Sequence, residues 1–146
     1  MDFKLEAIAL PVTDIDRAKQ FYEQLGWRLD IDRSMSDGFR VVQFTPPGSG
    51  CSILFGNGVT AAAPGSVQGL LIVVKDIEAA RNDLQTRGID VGPVYHDKNV
   101  IHHAAQTGRE PGPDPERRSY ASFADFRDPD GNGRFLQEVT KTAPGR

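Results

Sequence analysis

The chain contains a single cysteine, Cys51, among its 146 residues. One thiol excludes a disulfide within the chain and any zinc site built from several cysteines. A protein without disulfides is typical of a reducing compartment, so the sequence predicts a cytoplasmic location. The first residues also lack the basic and apolar pattern of a secretory signal peptide, which agrees with that expectation.

Long apolar runs and an excess of basic charge are also absent. The longest apolar run covers residues 69–74, which is far too short for a membrane-spanning helix, so no membrane association is predicted. Lys and Arg number 17 against 20 Asp and Glu, which gives a formal charge of −3. The basic residues are dispersed, so the sequence provides no electrostatic basis for nucleic-acid binding.

The most informative feature of the sequence is a pattern that occurs twice. Residues 13–26 and 75–88 align without a gap, so that Asp76 corresponds to Asp14 and Gly88 to Gly26. In each copy an apolar run precedes an Asp suited to cap a helix, apolar residues follow at helical spacing, and a Gly ends the pattern. The repeat therefore predicts a duplicated strand-to-helix unit with a pseudo-two-fold axis.

Further short segments of strand character follow each helix and are separated by turn-forming residues. The predicted strands of the first copy are residues 5–12, 27–31, 39–45 and 51–55, and those of the second are 67–74, 91–95, 120–127 and 135–140. Each copy thus reads as βαβββ, and the fold class is α+β. We expect one domain over residues 1–146, with module 1 at 1–56, a linker at 57–66 and module 2 at 67–142.

Module 2 carries an insertion at residues 96–119 that has no counterpart in module 1. The segment is polar and rich in Pro and Gly, and it shows no periodicity. A loop of this length in a compact domain is either functional, for example an active-site lid, or a surface insertion. The sequence leaves both readings open.

Three motifs are similar to those of the vicinal oxygen chelate superfamily, which includes glyoxalase I, bleomycin-resistance proteins and extradiol dioxygenases. They are the helix start at residues 12–18, the pairs Phe21-Tyr22 and Leu25-Gly26, and the turn at residues 128–132, which reads Asp-Pro-Asp-Gly-Asn. The resemblance covers nearly the whole chain. It implies that the two modules form a half-open, cup-shaped mixed sheet with a ligand cavity, and that two chains form a homodimer.

The resemblance also implies where metal ligands would lie. Metal-dependent members place a ligand seven residues before each helix-capping Asp, and these positions hold Ala7 and Gly69 here. The strand at 51–55 offers no His or carboxylate. On the last strand either Gln137 or Glu138 faces inward, since a one-residue change of register exchanges the faces. No cofactor is therefore predicted, a divalent metal is the less favoured alternative, and Glu138 is the one remaining candidate ligand.

Ala7 and Gly69, at equivalent positions of the two modules, are small and leave volume near the pseudo-axis. That volume either admits an organic ligand or is filled by larger side chains such as phenylalanines. For the ligand, strand alternation and proximity to the insertion give these candidate contacts: Ala7, Ala9, Gln43, Phe55, Gly69, Leu71, His96, Arg118, Tyr120 and Gln137. Arg118 would bind a ligand carboxylate or, alternatively, would pair with the nearby acids Asp114 and Glu116.

The three histidines all lie at the start of the insertion. His102 and His103 are predicted as general acid–base groups together with Glu138, or alternatively as solvated loop residues. Two functions therefore remain. The favoured one is a metal-free protein that binds a small organic molecule, and the alternative is a lyase, isomerase or dioxygenase with a non-standard metal site or His/Glu acid–base chemistry.

Overall fold

A computed structural model describes residues 1–98 and 108–145 of the chain. These residues divide into two compact units. The first consists of Met1–Gln68 together with Arg127–Asn132, and the second of Gly69–Phe126 together with Gly133–Arg146. The described residues form two helices and two mixed sheets, of four and five strands, which confirms the α+β class and the two-module organisation.

The first unit has the predicted order of one strand, one helix and three strands. Its elements are β1 (Ala7–Ala9), α1 (Ile15–Gln24), β2 (Arg28–Ser34), β3 (Arg40–Thr45) and β4 (Ser52–Asn57). The strand order in the sheet is β1-β4-β3-β2, with β1 and β4 parallel and the other pairs antiparallel. Strand β2 therefore lies at an edge, and all seven of its residues are exposed.

The second unit repeats this plan with one additional strand. Its elements are β5 (Leu70–Val74), α2 (Ile77–Thr86), β6 (Tyr95–Asp97), β7 (Arg109–Pro111), β8 (Ser122–Arg127) and β9 (Gly133–Glu138). The strand order is β5-β9-β8-β6-β7, in which β5 and β9 are parallel. The additional hairpin strand β7 lies within the insertion, where the sequence predicted no regular structure.

Both helices begin at the predicted capping residues. The Asp14 side chain accepts a hydrogen bond from the backbone N–H of Arg17, and Asp76 accepts from the N–H groups of Glu78 and Ala79. Each Asp satisfies backbone donors that a helix leaves unpaired at its start. The repeated Asp thus fixes where the helix of each module begins.

One strand of the second unit is displaced from its predicted position. The sequence predicted a strand at 91–95, whereas β6 begins only at Tyr95 and Val91 forms an isolated bridge with Phe126. Pro93 explains the difference, because it has no N–H to donate to a ladder and interrupts the predicted strand. The predicted boundaries of this strand were therefore wrong.

The core of the first unit lies between helix α1 and the sheet. Tyr22, Phe44 and Phe55 are fully buried, and the Tyr22 ring centroid lies 5.7 Å from that of Phe44 and 5.4 Å from that of Phe55. The Tyr22 hydroxyl donates a hydrogen bond to Asp128 Oδ2 at 3.1 Å. The buried phenol is therefore satisfied by a residue of the Asp-Pro-Asp-Gly-Asn turn.

That turn forms an integral part of the first unit. Asn132 is fully buried, and its Nδ2 donates to the Pro11 carbonyl at 2.9 Å while its Oδ1 accepts from the Val67 N–H at 3.2 Å. Asp130 Oδ1 accepts hydrogen bonds from the Thr13 hydroxyl at 2.6 Å and the Thr13 N–H at 3.0 Å. The turn motif and the helix-start motif are distant in sequence but directly bonded in the fold.

Candidate functional site

An open pocket lies on the face of the second sheet opposite to helix α2. Its volume is about 460 Å³, and its lining residues are Leu71, Val73, Tyr120, Gln137 and Ala143. Leu71 and Val73 are 52% and 54% exposed although both side chains are apolar. Because the two exposed apolar side chains are adjacent on one face of a strand and border a concave surface, this pocket is the first candidate for a ligand site.

The strand register decides which residue of β9 faces the pocket. Val73 is paired with Gln137 and Val74 with Glu138 in the parallel ladder of β5 and β9. Paired residues share a face of the sheet, and successive residues alternate between faces. Gln137 therefore lies beside Val73 on the pocket face, and Glu138 points to the side of helix α2.

Glu138 is fully buried at the N-terminus of helix α2. Its Oε2 accepts hydrogen bonds from the Ile77 N–H at 3.0 Å and from Arg117 Nη2 at 2.6 Å, and its Oε1 accepts from Arg117 Nε at 2.9 Å. The Arg117 guanidinium and the helix amide hold the pKa of this carboxyl below its usual range. The group is thus a buried, ionised partner of Arg117.

Tyr120 is held in place by three hydrogen bonds. Its N–H donates to the Glu138 carbonyl at 2.8 Å, its carbonyl accepts from Gln137 Nε2 at 3.1 Å, and its hydroxyl accepts from the Ala143 N–H at 2.8 Å. The backbone of Tyr120 has a φ of 73°, in the left-handed region that a bulky residue rarely adopts. These bonds together stabilise a conformation that presents the ring to the pocket.

Arg118 pairs with an acid of its own segment, which was the second of the two sequence-based readings. Its Nη2 lies 2.6 Å from Asp114 Oδ1, and its Nε lies 2.9 Å from Asp114 Oδ2. Asp114 is fully buried, and the Arg118 guanidinium lowers the pKa of its carboxyl to about 2. This two-point pair locks the segment that precedes Tyr120.

His96 lies on strand β6 and is buried. Its Nδ1–H donates to the Gly112 carbonyl at 2.9 Å, and its Nε2 lies 3.4 Å from Glu110 Oε2. The ring therefore connects β6 to Glu110 on β7 and to Gly112, which directly follows β7. The other two histidines, His102 and His103, fall outside the described residues.

A cluster of side chains on strands β6, β7 and β8 was not predicted from the sequence. The Tyr95 hydroxyl donates to Asp125 Oδ1 at 2.7 Å, and the Arg109 guanidinium lies 4.0 Å above the Tyr95 ring while its Nη1 donates to Asp125 Oδ2 at 3.2 Å. Burial and the Asp125 carboxylate raise the pKa of Tyr95 well above its usual value. The phenol therefore keeps its proton and acts as a donor that ties the strands together.

The candidates of the first unit and Gly69 occupy different environments. Ala7 and Ala9 are half-buried on β1, where they pair with Ser52 and Leu54 of β4. Gln43, on β3, pairs with Leu54 from the other side. Phe55 is fully buried against Tyr22, so it belongs to the core under helix α1. Gly69 has a φ of 81°, and an added Cβ there would meet no atom within 4 Å.

The structure brings three of the predicted ligand contacts together in the pocket: Leu71, Tyr120 and Gln137. Val73 and Ala143 were not among the ligand contacts predicted from the sequence. Strand alternation placed Val73 on the same face as Leu71, which was a usable signal. No sequence signal indicated Ala143, because its position depends on the hydrogen bond that its N–H donates to Tyr120.

The residues at the positions implied for metal ligands do not fit a metal ion. The side chains of Ala7 and Gly69 are a methyl group and a hydrogen atom, and neither offers a donor atom. Glu138 points away from the pocket and is bonded to Arg117 and the Ile77 amide. In residues 1–98 and 108–145, no three His, Cys, Asp or Glu side chains form a group that could hold a metal ion.

Comparison with known proteins defines the class to which this fold belongs. The sequence model of the Glyoxalase/Bleomycin resistance protein/Dioxygenase superfamily matches residues 4–133. The chain therefore belongs to this superfamily. No curated protein matches the sequence. None of the helices in the described ranges is long and apolar enough to cross a membrane.

Several solved structures of the superfamily resemble this chain over nearly its whole length. TnmS3, an antibiotic-binding protein from Streptomyces sp. CB03234, is 28% identical with a TM-score of 0.69, covering 94% of this chain and 97% of its own. A glyoxalase/bleomycin resistance protein from the same strain is 29% identical with a TM-score of 0.66, covering 92% and 100%. A superfamily member from Sphaerobacter thermophilus DSM 20745 is 25% identical with a TM-score of 0.65, covering 94% and 98%.

Proposed function

We propose that this chain binds a small organic molecule in the pocket of its second unit and does so without a metal. The observation that carries this proposal is the exposed apolar pair of Leu71 and Val73, lying beside Tyr120 and Gln137 in a pocket of about 460 Å³. Small-molecule pockets have volumes of roughly 300–1,000 Å³ and combine apolar walls with few polar groups. The pocket agrees with both properties.

The comparisons support the same class of function. One relative with 28% identity is described as an antibiotic-binding protein. Members of one superfamily differ in activity, so this likeness supports binding of an organic molecule rather than any particular antibiotic. The remaining candidate contacts, including Ala7, Ala9, Gln43 and His96, stay predictions.

The proposal is tested by filling the pocket. Val73→Trp places a large ring over the apolar floor, and we expect it to abolish binding of a neutral aromatic probe such as 1-naphthol. The measurement is an NMR titration that follows the backbone amides of Leu71, Val73 and Gln137. Ile31→Trp is the matched control, since Ile31 is an apolar strand residue of the first unit with 39% exposure.

We expect the control variant to bind the probe like the unchanged protein. Binding of equal strength to Val73→Trp, or probe-induced shifts confined to other residues, would show that this pocket is not the site. Shifts at the three pocket amides that disappear only in Val73→Trp would support the proposal.

The catalytic alternative stays a prediction. It needs Glu138, His102 or His103 as acid–base groups, and Glu138 would have to leave Arg117 and the Ile77 amide before it could transfer a proton. Homodimer formation and a cytoplasmic location also stay predictions from the family resemblance and the single cysteine. Sedimentation velocity over a wide concentration range tests the dimer.

A further inference from the structure

The Gln137 side chain has only one possible orientation in the pocket. Its Nε2 lies 3.1 Å from the Tyr120 carbonyl oxygen. A carbonyl oxygen only accepts hydrogen bonds, so the NH₂ end of the amide must point to it and Oε1 must point the other way. The amide is thus oriented by the backbone of Tyr120.

The Oε1 atom of Gln137 remains available as an acceptor. No donor in the described part of the chain bonds to it, while Gln137 itself is nearly buried and lines the pocket. If a ligand covers this polar atom without replacing its hydrogen bond to water, the lost hydrogen bond makes the free energy of binding less favourable. The pocket therefore favours a ligand that brings a donor to this atom.

Among the described residues that line the pocket, none carries a carboxylate, imidazole, ammonium or guanidinium group. The lining residues are Leu71, Val73, Tyr120, Gln137 and Ala143, and none is an Asp, Glu, His, Lys or Arg. An ionised ligand group placed on this floor would give up hydration without gaining a countercharge. The pocket therefore disfavours ionic groups.

We infer that the pocket selects a neutral aromatic or aliphatic molecule whose hydroxyl or amide N–H donates a hydrogen bond to Oε1 of Gln137. This inference rests on the proposed function, because it names the class of ligand for the same pocket. It also assigns Gln137 the role of a specificity-determining residue. The Tyr120 carbonyl fixes the orientation of its side-chain amide.

The test uses two probes of the same shape, 1-naphthol and 1-methylnaphthalene, which differ in one hydroxyl donor. Their dissociation constants are measured by NMR for the unchanged protein and for Gln137→Met, which keeps the length of the side chain and removes the acceptor. Comparing the two ratios cancels the difference in hydrophobicity between the probes. We expect the preference for 1-naphthol to fall by about 2- to 12-fold in the variant, the range of one net hydrogen bond.

Unchanged affinity of 1-methylnaphthalene in Gln137→Met would show that the pocket itself is intact. An equal naphthol preference in both proteins would overturn the inference while leaving the proposed function standing. A charged third probe, 1-naphthoate, is expected to bind more weakly than either neutral probe, and tighter binding would also overturn the inference.

Failure of the proposed function has a different signature. In that case neither neutral probe shifts the amides of Leu71 and Val73. Shifts of these amides that depend on protein concentration alone, without a probe, would identify the surface as a contact between two copies of the chain. Absence of probe-induced shifts would overturn the proposed function and the inference together, and so would self-association at this surface that neither neutral probe displaces.

Discussion

Gln137 and Glu138 are adjacent residues with side chains of nearly the same size, and they have different environments. Gln137 lies on the pocket face and keeps a free acceptor, whereas Glu138 is buried with Arg117 on the helix face. The difference follows from the alternation of side chains along a strand. A shift of one residue would bring a carboxylate to the pocket and an amide to Arg117.

At the residue scale, Asn132 is expected to be important for the stability of the first unit. Its buried side chain bonds to the Pro11 carbonyl, the Val67 N–H and Asp128 Oδ2. Asn132→Ala would leave the Pro11 and Val67 groups without these partners, so we expect a loss of about 2–3 kcal/mol of unfolding free energy. Urea denaturation measures this loss.

Asn57→Ala is the matched control for this prediction. The Asn57 side chain is exposed and donates a single hydrogen bond to the Gly38 carbonyl at 2.9 Å. We expect its replacement to cost less than about 1 kcal/mol. Similar losses in the two variants would contradict a special role for the buried amide.

At the scale of elements, the segment from Asp114 to Tyr120 is the end of the insertion and leads directly into the pocket. Two of its residues, Arg117 and Tyr120, have φ values of 50° and 73°, in the left-handed region. Such conformations cost about 1–3 kcal/mol each and persist only where surrounding contacts hold them. Here those contacts include the Arg117 pair with Glu138 and the Arg118 pair with Asp114.

The Arg117–Glu138 pair is expected to hold this segment against helix α2 and strand β9. Arg117→Met would leave the buried Glu138 carboxylate with the Ile77 amide as its remaining donor among the described residues, at a cost of about 2–3 kcal/mol. The estimate is below that for a fully buried pair because the Arg117 side chain is 40% exposed. Chemical denaturation and hydrogen exchange of the Tyr120 amide measure the effect.

A double variant separates the unpaired charge from the loss of packing. Adding Glu138→Gln to Arg117→Met removes the charge and keeps an acceptor for the Ile77 amide, so part of the lost stability should return. Arg28→Met is the surface control, since the Arg28 side chain is 73% exposed in its pair with Asp30. A loss in the control as large as in Arg117→Met would rule out a special role for the buried pair.

At the scale of the whole molecule, ionised carboxylates make stability depend on pH. The pKa of Asp32 is lowered to about 2 by Arg40 and Lys19, and that of Asp114 is lowered to about 2 by Arg118. Both groups have an ordinary pKa of 3.8. Because the folded pKa is lower than the unfolded one, each group stabilises the protein above about pH 4, and this contribution is lost as the pH falls through about 2.

We therefore expect the thermal midpoint to fall as the pH is lowered from about 4 to about 2. Asp114→Asn should lower stability at neutral pH and reduce the further loss on acidification, because one of the titrating groups is gone. Asp90→Asn, at an exposed site, is the control and should leave the stability at neutral pH nearly unchanged. Calorimetry over this pH range checks both expectations, and an identical profile for Asp114→Asn would contradict the assignment.

The duplicated motif predicted much of the fold because it depends on local chemistry. The capping residues Asp14 and Asp76 set the helix starts, and the α+β class follows from the alternation of strand and helix patterns. Strand boundaries were less accurate. Pro93 displaced β6, and strand β7 appeared in a segment without periodicity because its hydrogen bonds come from β6.

The candidate site could be predicted only in part. Leu71, Tyr120 and Gln137 were selected from alternation and position, but the sequence did not show whether Gln137 or Glu138 faces the ligand. It also did not show that Arg118 pairs with Asp114, since a charged residue near a loop can bind either a ligand or a neighbour. These outcomes depend on register and on contacts between residues that are distant in sequence.

The sequence by itself determined the duplicated βαβββ plan, the helix caps and the small residues at positions 7 and 69, because propensity, capping and composition act over a few residues. Only the tertiary structure decided that Gln137 faces the pocket, that Glu138 is buried with Arg117, and that the turn at 128–132 bonds to Thr13 and Pro11. Strand register and long-range hydrogen bonds are set by packing of the whole unit, which local patterns do not specify.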